Sequence, residues 1–372
     1  MKVAIVHEWF ESYAGSEKVL EQMLEVFPDA DLYSLVDFLP EGQRDFIRNK
    51  KVNTTFVQKL PFAHKKFRSY LPIMHFAMEQ LDMRQYDLII SNNHAIAKNV
   101  ITGPDQLHIS YIHSPIRYAW DLQHQYLRES GLNSGIKGLL TKYMLHKIRH
   151  KDLHSVNGVD EYLCNSRYIA RRVWKLYKRK ADVIYPPVDV DSFKICSEKD
   201  DYYFTASRMV PYKKMDLIVE AFSGMPDKKL IVIGDGPEFN KVKSKAKSNV
   251  ELLGYQSTET IIKYMQKARA FVFAAEEDFG ITPVEAQACG TPVLAFGKGG
   301  VTETVENNVT GLFYDEQNTA ALIKTVEEFE KIKDKFDPVL IRKNAERFHP
   351  EYFRQSFRGF VDKAWKDFSV TK

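Results

Sequence analysis

The sequence predicts an α/β protein of two nucleotide-fold domains, each an open, mostly parallel sheet with helices on its faces. Short apolar runs ending in polar residues recur along the chain, helical patterns separate them, and the series stops at Pro186-Pro187 and begins again. With 372 residues, 44% of them hydrophobic, the chain can bury two cores of ordinary size.

Val3-Ala4-Ile5-Val6 is the first strand. A loop containing Gly15 follows, and Val19, Leu20, Met23, Leu24 and Phe27 then recur at helical spacing, so the chain opens on a strand–loop–helix unit. Residues 31–36, 87–91, 108–113 and 161–166 are further strands, and in such a sheet the carboxyl edge carries the chemistry. The double proline stiffens an extended crossing segment that cannot lie within a helix, which puts the boundary near Pro187: residues 1–186 form the first domain and 187–349 the second. Residues 202–206, 229–234, 250–254, 270–274 and 291–296 are the strands of the second domain, whose loops are expected to oppose those of the first across a cleft. In residues 350–372, Tyr352, Phe353, Phe357, Phe360, Val361 and Trp365 gather on one helical face, expected to pack back on the first domain.

Composition narrows the function. Three cysteines, Cys164, Cys196 and Cys289, make no disulfide framework and show no paired ligand spacing, which fits a reducing compartment. A strand starting at the first residues leaves no room for a signal peptide, and no apolar run approaches the roughly eighteen residues needed to span a bilayer, so a cytoplasmic protein is expected. The net charge of +4 is unevenly spread: from Lys137 to Lys180 there are 12 Lys or Arg against 3 Asp or Glu. An ordinary solvated helical face accounts for such a block, and so does a peripheral foot on an anionic membrane. In residues 167–178, Ile169, Val173, Leu176 and Tyr177 are expected to face inward, bordered by Arg171, Arg172, Lys175 and Lys178. No zinc pattern or helix-turn-helix signal accompanies the charge, so nucleic acid is not expected as a partner.

The densest functional signal is Glu277-Asp278-Phe279-Gly280-Ile281-Thr282-Pro283-Val284-Glu285, which sets Glu277 and Glu285 eight residues apart around a Gly/Pro turn into a helix. Gly280 lets backbone amides face a ligand, with Phe279, Ile281 and Thr282 beside it, and a carboxylate at either position suits the vicinal hydroxyls of a sugar. Upstream, Arg208 follows a strand and Lys213 comes five residues later as a helix begins. Free backbone N–H groups, a helix dipole and two cations together make a diphosphate site. Two cations and two carboxylates without a metal-ligand cluster suit a sugar bound through a diphosphate. Gly234 and Gly236, in Gly-Asp-Gly-Pro at a strand end, are read either as a tight turn or as ligand contacts; they do not make the dinucleotide-binding pattern. Tyr255 either stands by a nucleobase or closes the domain core. In the first domain His113 ends a strand ahead of Ser114-Pro115-Ile116-Arg117-Tyr118-Ala119-Trp120-Asp121 and is read as a cleft residue bonded to a sugar hydroxyl or leaving phosphate. His7, Glu8, Gly15 and Ser16 lie on the corresponding edge after the first strand. Gly15 either admits a pyrophosphate or is a hinge, and His7, Glu8, Ser16, Arg117 and Trp120 are candidate acceptor contacts.

Arg208 with Lys213, the Glu277/Glu285 spacing, Gly234-Asp235-Gly236-Pro237 and Ala288-Cys289-Gly290-Thr291-Pro292-Val293 resemble glycosyltransferase family 4, retaining enzymes of GT-B fold that use nucleotide-sugar donors. The resemblance implies that Arg208 and Lys213 bind the donor diphosphate, that Glu285 holds the nucleotide ribose and that Glu277 meets the hexose with amides near Phe279 and Gly280. It further implies that His113 contacts the sugar near C6 and that Gly15 lies beneath the phosphates. Lys214 stands where the family often has glycine, so Lys213 and Lys214 are expected to share the phosphate. The stretch from His113 to Asp121 is similar to bacterial mannosyltransferases of O-antigen, capsule and exopolysaccharide synthesis. That implies GDP-mannose as donor, a lipid-linked saccharide as acceptor, and neither metal nor cofactor. The alternatives are a UDP-sugar-dependent member of the family, a nucleotide-sugar epimerase, and a phosphorylase, which would need a pyridoxal-phosphate lysine.

Overall fold

The computed structural model describes residues 1–370. The chain forms two compact units, one of Met1–Pro187 joined by the chain from Glu351 onward, the other of Val188–Pro350. Each is built on a wholly parallel sheet.

The first sheet has seven strands: β1 (Val3–His7), β2 (Asp31–Ser34), β3 (Val52–Thr54), β4 (Leu88–Asn93), β5 (Leu107–Ile112), β6 (Glu161–Cys164) and β7 (Asp182–Val183). Their spatial order is β3-β2-β1-β4-β5-β6-β7. The chain runs outward from β1 in one direction and resumes at β4 in the other, so β1 and β4 flank a topological switch point, where a crevice opens at the carboxyl ends of an α/β sheet. Every residue of β1, β4 and β5 is buried, the expected result for central strands covered on both faces. The register pairs His7 with Asn92, placing two polar side chains side by side at that switch point.

The second sheet has six strands: β8 (Tyr203–Ala206), β9 (Leu230–Ile233), β10 (Val250–Leu252), β11 (Phe271–Phe273), β12 (Val293–Phe296) and β13 (Gly311–Tyr314). Their order is β10-β9-β8-β11-β12-β13, with the switch point between β8 and β11. Three strands were not predicted. β3 is three residues long, β7 two, and β13 packs at an edge behind Gly311. Such short edge strands show too little alternation to stand out in the sequence, and sheet pairing alone defines them.

The final helix, Pro350–Val370, buries Phe353, Phe357, Val361 and Ala364 in the first unit's core, beside Val19, Leu20 and Phe27. Phe357 meets Phe27 edge-on at 6.2 Å and the Arg358 guanidinium lies 4.7 Å from the same ring. Phe360 and Trp365 pack partly, while Tyr352, expected on the buried face, is exposed because it lies one residue off the stripe.

Candidate active site

In the second unit the carboxyl ends of β8 and β9 and the loop after β10 meet the start of helix Ile281–Ala288 around a cavity of about 570 Å³. Arg208, Gly234, Gly236, Tyr255, Thr282 and Glu285 all line it, with Ser207, Ile233, Asp235, Gln256 and Ile261, which were not singled out from the sequence. Thr282 and Glu285 are three residues apart on the helix and so share one face. Arg208 is exposed and Tyr255, 84% exposed, stands at the rim and closes no core.

The glycines serve the loops before they serve a ligand. Gly234 has φ of 143°, and a Cβ there would lie 1.9 Å from the Ser207 carbonyl oxygen; at Gly236 it would lie 2.6 Å from that of Met209. The loop after β9 is thus pressed onto the loop after β8, and Met209 donates its N–H to Asp235 while Glu238 donates to Met209. That close approach positions Arg208. A second glycine pair, missed in the sequence although it follows β12 directly, does the same for Glu277. Gly300 donates to the Glu277 carbonyl at 2.8 Å, and a Cβ on Gly299 would lie 2.4 Å from that oxygen.

Lys213 and Glu277 form an ion pair between the loops that follow β8 and β11, the strands flanking the switch point. Their side chains are only 18% and 16% exposed, so both charges lose most of their water and depend on each other. Lys214 adopts the left-handed conformation at φ 54°, ending the Pro211–Lys213 turn before helix Met215–Ser223. Gly280, at φ 87°, makes the corresponding turn before Ile281. The ring of Phe279 is buried against Phe348 at 5.4 Å, which leaves its backbone, the part expected to face a ligand, as the part its side-chain packing does not engage. Ile281 is half-buried at the first turn of its helix.

In the first unit the residues of the β1/β4 switch point form a closed polar network. His7 is bonded through Nε2 to Glu17 (3.0 Å) and through Nδ1 to the Asn92 amide (3.1 Å); Asn92 also donates to the Ser16 carbonyl (2.9 Å) and bonds His113 Nε2 (2.5 Å). Burial pushes the Glu17 carboxyl up, but bonds from His7 and Ser16 outweigh it and leave it below the ordinary range. Burial, then the neighbouring His94 and His7, hold the His113 imidazole well below its usual value, so it is neutral near pH 7. His94 stacks on His113 at 4.6 Å. Gly15 begins helix Gly15–Val26, whose Ser16 carbonyl and Glu17 carboxylate belong to this network.

Three residues expected to contact an acceptor are engaged within the protein, and burial takes His7 and Glu8 out of reach of one. His7 is buried with both ring nitrogens occupied. Glu8 is buried and accepts the backbone N–H groups of His94, Ala95, Ile96 and Ala97, so it holds the loop after β4. Trp120 donates its indole N–H to Asp152 (2.7 Å), an acid buried against Lys98 and Tyr177. The Ser16 hydroxyl donates to Glu17, and Arg117 bonds Ser114 (3.3 Å) on the loop after His113.

In helix Arg167–Tyr177, Ile169, Val173 and Tyr177 are buried as predicted, but Arg172 is turned inward, gripping Asp121 with two nitrogens and Ser114 with a third. Trp174 of that helix is exposed, and helix Gly135–Ser155 presents a longer run of apolar side chains to solvent: Ile136 is 87% exposed, Leu139 71%, and Leu140 and Tyr143 more than half, among Lys137, Lys142 and Lys147. Among the described residues no helix is long and apolar enough to cross a membrane, and no three His, Cys, Asp or Glu side chains form a metal-holding group.

Residues 189–347 match the family described as Glycosyl transferases group 1. An uncharacterized glycosyltransferase of Methanocaldococcus jannaschii is 30% identical over 172 residues, 44% of this chain and 48% of that protein. A D-inositol 3-phosphate glycosyltransferase of a Mycobacterium species is 26% identical over 198 residues, 46% and 45% of the two chains. The matched part thus spans about half the length of these curated relatives. Over nearly the whole chain, the structure resembles Anabaena HepE solved with UDP (TM-score 0.71, 17% identity, 98% of this chain and 100% of that one). It resembles sucrose-phosphate synthase from Thermosynechococcus elongatus equally (TM-score 0.71, 16% identity, all of both chains). Two parallel sheets of this topology with a C-terminal helix returning to the first unit are the GT-B fold, and the part of the chain that matches the Glycosyl transferases group 1 family, residues 189–347, falls within the second unit.

Proposed function

We propose that this protein is a family 4 glycosyltransferase that transfers a sugar from a nucleotide-sugar donor, with retention and without a metal. The observation that carries the reading is the second unit's switch point, which brings Arg208, Thr282 and Glu285 to one cavity and sets the Lys213–Glu277 pair on the adjoining loops. Arg208 offers a planar fork to the diphosphate, and Lys213 a mobile charge. Lys213 is paired with Glu277; an arriving diphosphate takes over Lys213 and releases Glu277 to accept hydroxyls of the donor sugar. The negative charge that grows on the departing nucleoside diphosphate is then met by Arg208, Lys213 and nearby amides. The leaving phosphate takes the acceptor proton in a front-face substitution, and Glu285, facing the cavity, is assigned the ribose.

A UDP-sugar is the favoured donor, since HepE has been solved with UDP and with UDP-glucose, and a pneumococcal O-GlcNAc transferase of similar fold with UDP and GlcNAc. GDP-mannose is the second reading, supported by the mannosyltransferase-like stretch from His113 to Asp121. The proposed acceptor is a lipid-linked saccharide met at a membrane surface, supported by the exposed apolar and basic face of helix Gly135–Ser155. Thermal unfolding and nucleotide release, measured against a panel of UDP- and GDP-sugars, test the donor. A UDP-sugar should raise the melting temperature more than GDP-mannose, and Glu285→Ala should lose most of that rise. A larger response to GDP-mannose reverses the choice, and no release with any donor and acceptor extract removes the function.

A further inference from the structure

The polar network at the first unit's switch point has a direction, and that direction reaches His113. The Ser16 carbonyl can only accept a hydrogen bond, and it lies 2.9 Å from the Asn92 side-chain amide, so the NH₂ group of Asn92 must face it. The same NH₂ supplies its other hydrogen to His7 Nδ1 at 3.1 Å. His7 therefore carries its proton on Nε2, where it donates to the Glu17 carboxylate at 3.0 Å. That carboxylate is held in turn by the Ala14 backbone N–H at 3.1 Å and the Ser16 hydroxyl at 2.9 Å. With its NH₂ committed twice, Asn92 turns its oxygen to His113, and an amide oxygen only accepts. His113 must then donate from Nε2, which leaves Nδ1 as a bare lone pair. No partner meets Nδ1 among the described residues, although His94 stacks on the ring and Tyr111 meets it at 5.1 Å.

We propose that Asn92, oriented by the Ser16 carbonyl and by the His7–Glu17 pair, is a positioning residue that fixes His113 as the Nε2–H tautomer, so that Nδ1 accepts the hydrogen of a sugar hydroxyl. The sugar rests on the glycosyltransferase reading above; the tautomer does not. The wrong tautomer would present an N–H where the hydroxyl needs an acceptor, and neither ring nitrogen could rotate to correct it while the amide stays clamped.

Long-range proton–nitrogen NMR on the ¹⁵N-histidine-labelled full-length protein reads the tautomer directly, with the His113 signals assigned by their loss in His113→Gln. The wild type should show a protonated Nε2 and a bare Nδ1, and Asn92→Leu should give a mixture. In turnover with the preferred nucleotide sugar, Asn92→Leu should raise KM about tenfold, the worth of one hydrogen bond, with kcat within about threefold. A merely structural role would instead lower kcat through a smaller active fraction and leave KM alone. Asn92→Asp, whose carboxylate sets an acceptor against the Ser16 carbonyl and the bare His7 Nδ1, should lose the single tautomer and raise KM as the leucine variant does, and the wild-type tautomer, read without any variant, covers the case in which neither variant folds. An Nδ1–H tautomer in the wild type overturns the proposal whatever the kinetics. So does an Asn92→Leu protein with a scrambled tautomer and unchanged KM. Absence of turnover with every nucleotide sugar, with the wild-type tautomer as expected, overturns the enzymatic function and leaves the tautomer relay standing.

Discussion

Lys213 and Glu277 share one bond that each needs for a different purpose. Held together they satisfy two charges taken largely out of water, so replacing either one leaves the other buried and unpaired. Lys213→Met should therefore weaken diphosphate binding and lower kcat by about a hundredfold or more, and Glu277→Gln, which keeps a hydrogen-bonding oxygen, should lower kcat with less effect on the nucleotide affinity. Steady-state kinetics with nucleotide titration separates the two; equal losses in both variants would mean that the pair acts only as a structural clasp. At Gly234 the constraint is steric. A methyl group 1.9 Å from the Ser207 oxygen, at a φ that L-residues avoid, forces the two loops apart, so Gly234→Ala should cost about 2–4 kcal/mol in chemical denaturation and displace Arg208.

At the scale of single elements, the basic block read as one stretch in the sequence divides between two helices with different surfaces. Helix Arg167–Tyr177 sends Arg172 inward to Asp121 and Ser114 and packs an apolar face into the first unit. Helix Gly135–Ser155 leaves Ile136, Leu139, Leu140 and Tyr143 in solvent at its amino-terminal half, with lysines beside them, the composition that settles into the headgroup region of an anionic bilayer. Wild-type protein should float with vesicles containing phosphatidylglycerol and remain behind with phosphatidylcholine alone. Leu139→Glu with Leu140→Glu should reduce the bound fraction about tenfold or more, since two apolar insertions are exchanged for two repelled charges. Undiminished flotation of the double variant would place the membrane contact elsewhere.

At the scale of the whole molecule the two units answer acid at different pH. Burial, helped by Lys98, depresses His75 from 6.5 to about 4, and burial likewise brings His108 to about 4, both in the first unit. The folded state binds these protons less readily than the unfolded chain, so their contribution is full above about 6.5 and declines as the pH falls toward 4. In the second unit burial pushes the Glu330 carboxyl up, yet hydrogen bonds from Tyr203, Arg269 and Lys333 prevail and hold it at about 2, against an ordinary 4.5. Its stabilisation is present above 4.5 and lost as the pH falls toward 2. Calorimetry between pH 7 and 3 should show the first unit's transition moving down from about pH 6.5 while the second unit's holds to about 4.5. A simultaneous decline of both would deny that separation.

How much of this was legible in the sequence follows from the range over which each interaction acts. Local periodicity marked the central strands, and the dense loops at their carboxyl ends carried Arg208, Lys213, Glu277 and Glu285, because strand and turn preferences are set by neighbours a few residues away. Edge strands such as Val52–Thr54 escaped because their identity lies in pairing with a distant partner. The duties of polar side chains were decided only by the tertiary structure. Glu8 meets amides 86 to 89 residues away, Trp120 meets Asp152, and His7 meets Asn92 across the register of two strands that are neighbours only in space. A buried polar group must find its partner wherever the fold places one, and sequence spacing carries no record of that choice.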